Sequence, residues 1–142
     1  MKKFFFVFLL MVISLLPALS QKKHGFDPKR FEADLEQYIT TQATLSPREA
    51  ARFFPVYREY QEKMRALFTE QRHCRLIDIN NDAACIEALR KQDDIDIEMK
   101  KLQHKYHQRF VKILSPSKVF KIIMAEDRFH RKAFERAVKR WK

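Results

Sequence analysis

Glycine is almost absent: Gly25 is the only one in 142 residues. Tight β-hairpins take glycine where φ is positive, and phosphate-binding loops take it where the backbone meets the ligand. An all-β fold, a P-loop and a dinucleotide-binding fingerprint are therefore all disfavoured. Cysteine is scarce as well. Cys74 and Cys85 are the whole complement, and no Cys-x-x-Cys pair exists to support thiol redox catalysis. Serine supplies no obvious nucleophile. Ser46 and Ser115 each precede a proline and read as helix caps, and no Ser/His/Asp set can be assembled. Paired carboxylates occur without any pattern that implies a pocket, so the chain is not expected to be an enzyme. What it has in quantity is leucine, alanine, glutamate, glutamine, lysine and arginine, the good helix formers, which predicts an all-α fold.

The first twenty residues read as a secretory signal peptide. Met1-Lys2-Lys3 is a basic start, Phe4 to Leu16 is an apolar run, and Ala18 and Ser20 are the small residues expected before a cut after Ser20. The run is shorter than the ~20 residues a membrane span requires. The protein is thus expected to be exported, and periplasmic. Residues 21–26 read as a disordered start, and 27–142 as one helical domain. In an oxidising compartment two cysteines suggest a bridge, so Cys74 and Cys85 are expected to staple the turn around Asn80-Asn81-Asp82.

Four helices are expected. Asp27-Pro28 is a cap and first-position pair, followed by an apolar stripe at Phe31, Leu35 and Ile39, with an end near Thr40 or Thr41. Leu45 to Phe68 opens the second helix. Ser46, Pro47 and Glu49 have the spacing of a capping box, in which serine and glutamate satisfy each other's backbone N–H. This helix should run to about Arg75 and kink at Pro55, whose ring lacks an N–H and crowds the Ala51 carbonyl. It carries Phe53, Phe54, Tyr57, Tyr60, Met64, Leu67 and Phe68, more aromatic surface than a small helical domain readily buries. A third helix from about Asp82 to Ile113 carries Ile86, Leu89, Ile95 or Asp96, Met99, Leu102, Tyr106, Phe110 and Ile113 at roughly three-and-four spacing. Asp93, Asp94, Asp96 and Glu98 mark a weak point in it. These acids lack the glycine and ligand spacing of an EF-hand. The fourth starts at Ser115-Pro116, with Val119, Ile122, Ile123, Phe129, Phe134, Val138 and Trp141 as its apolar residues.

Charge is unevenly placed. Residues 21–98 carry thirteen basic and fifteen acidic side chains, whereas residues 99–142 carry fourteen basic and three acidic. The basic C-terminal third suggests an acidic partner surface. Nucleic acid is disfavoured by the export signal, while a membrane surface stays open for the basic, aromatic last helix. His104 and His107 are three apart on one helix and could share a zinc ion if His73, His130 or a second subunit completed the set. No other cofactor is indicated.

Two Leu-Ser-Pro starts, Leu45-Ser46-Pro47-Arg48-Glu49 and Leu114-Ser115-Pro116-Ser117-Lys118, each open a helix. In an exported, basic, glycine-poor chain this resembles the Spy/CpxP family of periplasmic proteins, marked by LTxxQ motifs. Neither copy keeps the final glutamine: Glu49 and Lys118 stand in its place. The resemblance implies a four-helix, cradle-shaped antiparallel homodimer. It implies an ATP-independent chaperone for unfolded envelope proteins, or an adaptor restraining a sensor kinase or anti-sigma-type partner, and some relatives bind zinc. On this chain the expected contact surface is Arg52, Phe53, Phe54, Tyr57, Tyr60, Lys105, Arg109, Arg128 and Arg131. A metal-sensing or metal-buffering protein and a dedicated partner-binding subunit are the alternatives.

Overall fold

The computed structural model describes residues 27–140. The signal peptide and disordered start expected in residues 1–26, and Trp141, lie outside the described residues. Four helices account for most of the described chain: α1 Pro28–Gln42, α2 Pro47–His73, α3 Asp82–Phe110 and α4 Pro116–Arg140. No strand occurs among the described residues. The described residues from Glu32 onward form one compact unit.

Each helix start follows from local chemistry. Asp27 Oδ1 accepts from the N–H groups of Lys29 (3.0 Å) and Arg30 (3.3 Å) ahead of Pro28. At α2 the capping box forms: Ser46 N–H donates to Glu49 Oε2 at 2.8 Å, and Glu49 N–H to Ser46 Oγ at 3.3 Å. Asn81 caps α3 by accepting from the Ala84 N–H at 3.1 Å, and Ser115 Oγ accepts from the Lys118 N–H at 3.4 Å at the start of α4. The turn between α1 and α2 is unusual. Leu45 N–H reaches back to the Thr40 carbonyl (3.0 Å) and Thr44 N–H to that of Thr41 (3.3 Å), the bond pattern of a Schellman motif. Such a motif needs a left-handed residue, usually glycine. Here it is Thr44, at φ 51°, a β-branched residue in a region its Cβ disfavours.

α2 continues through Pro55 without interruption. Ala51, whose carbonyl loses its partner to that proline, is exposed, so solvent can satisfy it. α3 likewise runs unbroken through Asp93, Asp94, Asp96 and Glu98. These four carboxylates stay exposed, where water screens their repulsion.

The core lies between α2 and α3. Phe53 sits against Phe110 with ring centroids 4.9 Å apart, and Tyr60 against Tyr106 at 5.2 Å. Further along, Met64 and Leu67 of α2 pack on a cluster of Cys74, Ile95 and Met99. Gln71 donates to Asp96 at 2.6 Å, and Lys91 pairs with Glu70 at 3.3 Å. Partners thus pair in reverse order along the two helices. α1 is held on α2 by a bidentate Arg58–Glu36 pair (2.6 and 2.7 Å) and by Arg65–Glu32 at 2.9 Å. α4 buries Val119, Ile122, Ala125 and Phe129, the last with its ring centroid 5.6 Å from that of Tyr38 in α1.

Candidate interaction surface

The two Leu-Ser-Pro starts meet. Leu45 and Leu114 are both buried, and Lys118 Nζ lies 2.7 and 2.6 Å from the two carboxylate oxygens of Glu49. Glu49 and Lys118 are the fifth residues of the two motifs, so one copy's acid holds the other copy's base. The Lys118 hydrogen bond, reinforced by the Ser46 N–H, holds the Glu49 carboxyl down to about 2. A lysine in the first turn of a helix opposes the helix dipole, and Glu49 offsets that charge. The motif pair is therefore a lock between the starts of α2 and α4, engaged from within the chain.

The expected aromatic contact residues are in the core. Phe53 is 0%, Tyr57 2%, Tyr60 6% and Phe54 7% exposed. Their spacing of one, three and three residues forms one helical face, and α3 supplies Tyr106 and Phe110 to cover it. In this conformation they are closed to a client. Arg109 is also engaged, donating to Glu59 at 3.0 Å and stacked over the Tyr106 ring at 4.8 Å. Tyr106 donates its hydroxyl to the same carboxylate at 2.6 Å, and with Lys63 and Arg109 this holds Glu59 down to about 2. Arg52, Lys105, Arg128 and Arg131 are exposed, the first on α2, the second on α3 and the last two on α4.

A polar cluster lies where α2 meets α4. Gln61 Nε2 donates to Glu126 Oε1 at 2.5 Å, and His130 Nε2 is 3.8 Å from the same oxygen. The Tyr57 hydroxyl is buried with no hydrogen-bond partner, and burial together with the Glu126 charge pushes its pKa far up. The same two causes push Tyr60 up to about 12. Burial lowers the pKa of His107.

The residues expected to hold a metal or form a bridge are placed as follows. No group of three or more histidine, cysteine, aspartate or glutamate side chains converges among the described residues, so His104 and His107 gain no third ligand there. Cys74 and Cys85 are free thiols. Cys74 turns into the cluster with Ile95 and Met99, while Cys85 Sγ lies 3.5 Å from the Ile79 carbonyl oxygen. Apolar packing claims one sulfur and the loop backbone the other.

What remains exposed is a set of large apolar side chains, of which the sequence reading named Ile86, Leu89, Phe134 and Val138 as stripe residues and did not name Ile97, Phe120 or Met124. On α4, Phe120 (64%), Met124 (42%), Phe134 (70%) and Val138 (40%) are open to solvent. At ~3.6 residues per turn they share one face with Arg131, opposite the buried Val119, Ile122 and Phe129. α3 repeats the arrangement. Ile86 (68%), Leu89 (62%) and Ile97 (52%) face outward, opposite Ile95, Met99 and Tyr106. Ile86 and Leu89 belonged to the expected stripe of α3, but the face that meets α2 is set by Ile95, Met99, Tyr106 and Phe110. The signal was legible in part: Phe120/Met124 and Phe134/Val138 are each four apart, the spacing of a second stripe.

No protein-family model, no curated protein and no solved structure matches the chain. The likeness to the Spy/CpxP proteins rests on the two short motifs. No helix among the described residues is long and apolar enough to cross a membrane.

Proposed function

We propose that this protein is a periplasmic, ATP-independent chaperone or envelope-stress adaptor that holds unfolded or partner proteins on the outer face of α4. The observation that carries the reading is the doubly apolar character of that helix. One face is buried in the domain, and the other presents Phe120, Met124, Phe134 and Val138 to solvent. α4 holds eight basic and three acidic side chains, among them the exposed Arg128 and Arg131. Positive charge speeds encounter with acidic segments, and the shallow apolar stripe then holds them without a shaped pocket. A surface of this kind favours weak, reversible and unselective contact, as a holding chaperone requires. Within this reading α2 and α3 act as a helical hairpin that supports α4. The working form is an antiparallel, cradle-like dimer, as the likeness to the Spy/CpxP proteins implies.

The test is suppression of aggregation of a reduced, unfolded client protein without nucleotide. The wild-type chain should reduce light scattering at a few-fold molar excess, and Phe120→Ser/Phe134→Ser should lose most of that effect. No suppression by the wild type at several-fold excess would reject the chaperone reading.

A further inference from the structure

We infer that α4 is a cover that lifts from the α2–α3 hairpin and uncovers a second client groove, one that takes apolar helical segments spaced like α4's own inner stripe. The inference deepens the proposed function and rests on it only in calling the occupant a client. The seams that α2 makes with α3 and with α4 differ in kind. Against α3 the contact is ring on ring, and the buried Tyr106 hydroxyl donates to Glu59 at 2.6 Å. Against α4 the seam holds polar groups. Glu126 accepts from Gln61 at 2.5 Å and lies 3.8 Å from His130. Its charge is felt by Tyr57 and Tyr60 on α2 and by His107 on α3, so the carboxylate sits among all three helices. Beside it the Tyr57 hydroxyl is buried with no hydrogen-bond partner among the described residues. An unpaired buried hydroxyl destabilises the closed arrangement, and water satisfies it once α4 lifts.

α4 is also fastened unevenly. At its start Leu114 is buried and Lys118 grips Glu49. Val119, Ile122, Ala125 and Phe129 follow as its buried stripe, whereas residues 134–139 are all exposed. The far end is therefore the end that lifts, pivoting on the connection from α3 at residues 111–115. Local opening starts where buried apolar contact is sparse. Tyr57 and Phe54 stand one and two turns before Gln61 on the side of α2 that meets α4. On α1 the Tyr38 ring carries Phe129 and Lys132 of α4, each at 5.6 Å. These three rings line the groove that α4 vacates. The helix that now fills it shows what fits: apolar side chains three or four apart, as on any amphipathic client helix. Because α4 stays tethered, it returns at high effective concentration and expels the client, which gives release without nucleotide.

Native-state hydrogen exchange on the full chain, read by mass spectrometry, tests the cover. Amides of α4 should exchange through an opening that leaves α2 and α3 protected. Lys118→Glu sets two acids against each other and should speed α4 exchange about ten-fold, with α2 and α3 unchanged. Glu49→Gln keeps the helix cap, loses the charge pair, and should speed it about three-fold. Tyr57→Phe removes the unpaired hydroxyl and should slow it about ten-fold. The groove is tested with a reduced, unfolded client in the Phe120→Ser/Phe134→Ser chain, whose outer stripe is gone. Adding Lys118→Glu there should recover part of the lost suppression of aggregation, and adding Tyr57→Phe instead should remove whatever remains. Exchange of α4 only together with α2 and α3 overturns the inference, as does faster α4 opening in the Lys118→Glu chain with no gain in capture. A wild type that protects through Phe120 and Phe134 while α4 never opens separately removes the cover and leaves the proposed function. Opening as stated in a chain that protects no client removes the proposed function and leaves the cover.

Discussion

Replacing Phe53 by alanine separates a core aromatic from a client-binding one. The ring is fully buried, with centroids 4.9 Å from Phe110, 5.5 Å from Tyr57 and 5.5 Å from Phe54. Truncating a buried phenylalanine costs about 3–5 kcal/mol, through lost transfer energy and the cavity left behind. Three aromatic neighbours place this site towards the upper part of that range, since each well-oriented pair adds about 0.5–1.5 kcal/mol. A loss of about 4 kcal/mol is a large share of the about 5–15 kcal/mol that holds a small domain. With a urea dependence of about 2 kcal/mol per molar, the unfolding midpoint should fall by about 2 M. Phe120→Ala is the control. That side chain is 64% exposed, and its loss should change stability by less than about 0.5 kcal/mol while impairing capture. A double-mutant cycle with Phe110→Ala should return a coupling of about 0.5–1.5 kcal/mol. If Phe53→Ala cost under about 1 kcal/mol and abolished client binding, the assignment of the α2 aromatics to the core would be refuted.

Three further outcomes are expected. Thr44→Gly should stabilise the domain by about 1 kcal/mol in urea unfolding, because glycine relieves the left-handed strain at φ 51° at a smaller entropic cost; a destabilised variant would mean that the threonine side chain makes a compensating contact. Tyr106→Phe should lower the melting temperature by removing the hydroxyl that holds Glu59, whereas Tyr57→Phe should leave it unchanged or raise it, since that hydroxyl is buried without a partner; the reverse ranking would contradict the hydrogen-bond assignment. Acidification should destabilise in two windows. His107 is lowered from its ordinary 6.5 by burial, so its contribution is complete above that pH and is lost as pH falls through the lowered folded value. Glu49 and Glu59 have folded values of about 2 against an ordinary 4.5, so theirs is complete above 4.5 and lost between there and 2. Melting temperatures at pH 8, 5 and 3 should fall at each step, and His107→Gln should flatten the first; a rise from pH 8 to 5 would contradict the sign.

Helix order and helix starts were legible residue by residue. Ser46 and Glu49 form the expected capping box, because caps depend on side chains within a few positions of the backbone they satisfy. Helix ends fell within a few residues of expectation for the same reason. Which of the expected contact residues are exposed was legible only in part. Arg128 and Arg131 are exposed as a basic face requires, but Phe53, Phe54, Tyr57 and Tyr60 are not, because the rings that cover them lie some fifty residues away in α3. Periodicity reveals an apolar face and is silent on whether another helix covers it.

The same division runs through the whole chain. By itself the sequence determined an all-helical protein, four helices with the caps of three of them, a slightly acidic N-terminal stretch and a basic C-terminal one, and the repeated Leu-Ser-Pro start. Glycine scarcity, capping spacing and charge are local properties, readable without knowing what meets what. Only the tertiary structure decided that Glu49 of one start grips Lys118 of the other, and that Cys74 joins the Ile95–Met99 cluster. It alone decided which stripes of α3 and α4 stay open. Those outcomes depend on packing between residues distant in the chain, where the geometry of two long helices selects one apolar face for burial and leaves the other in water.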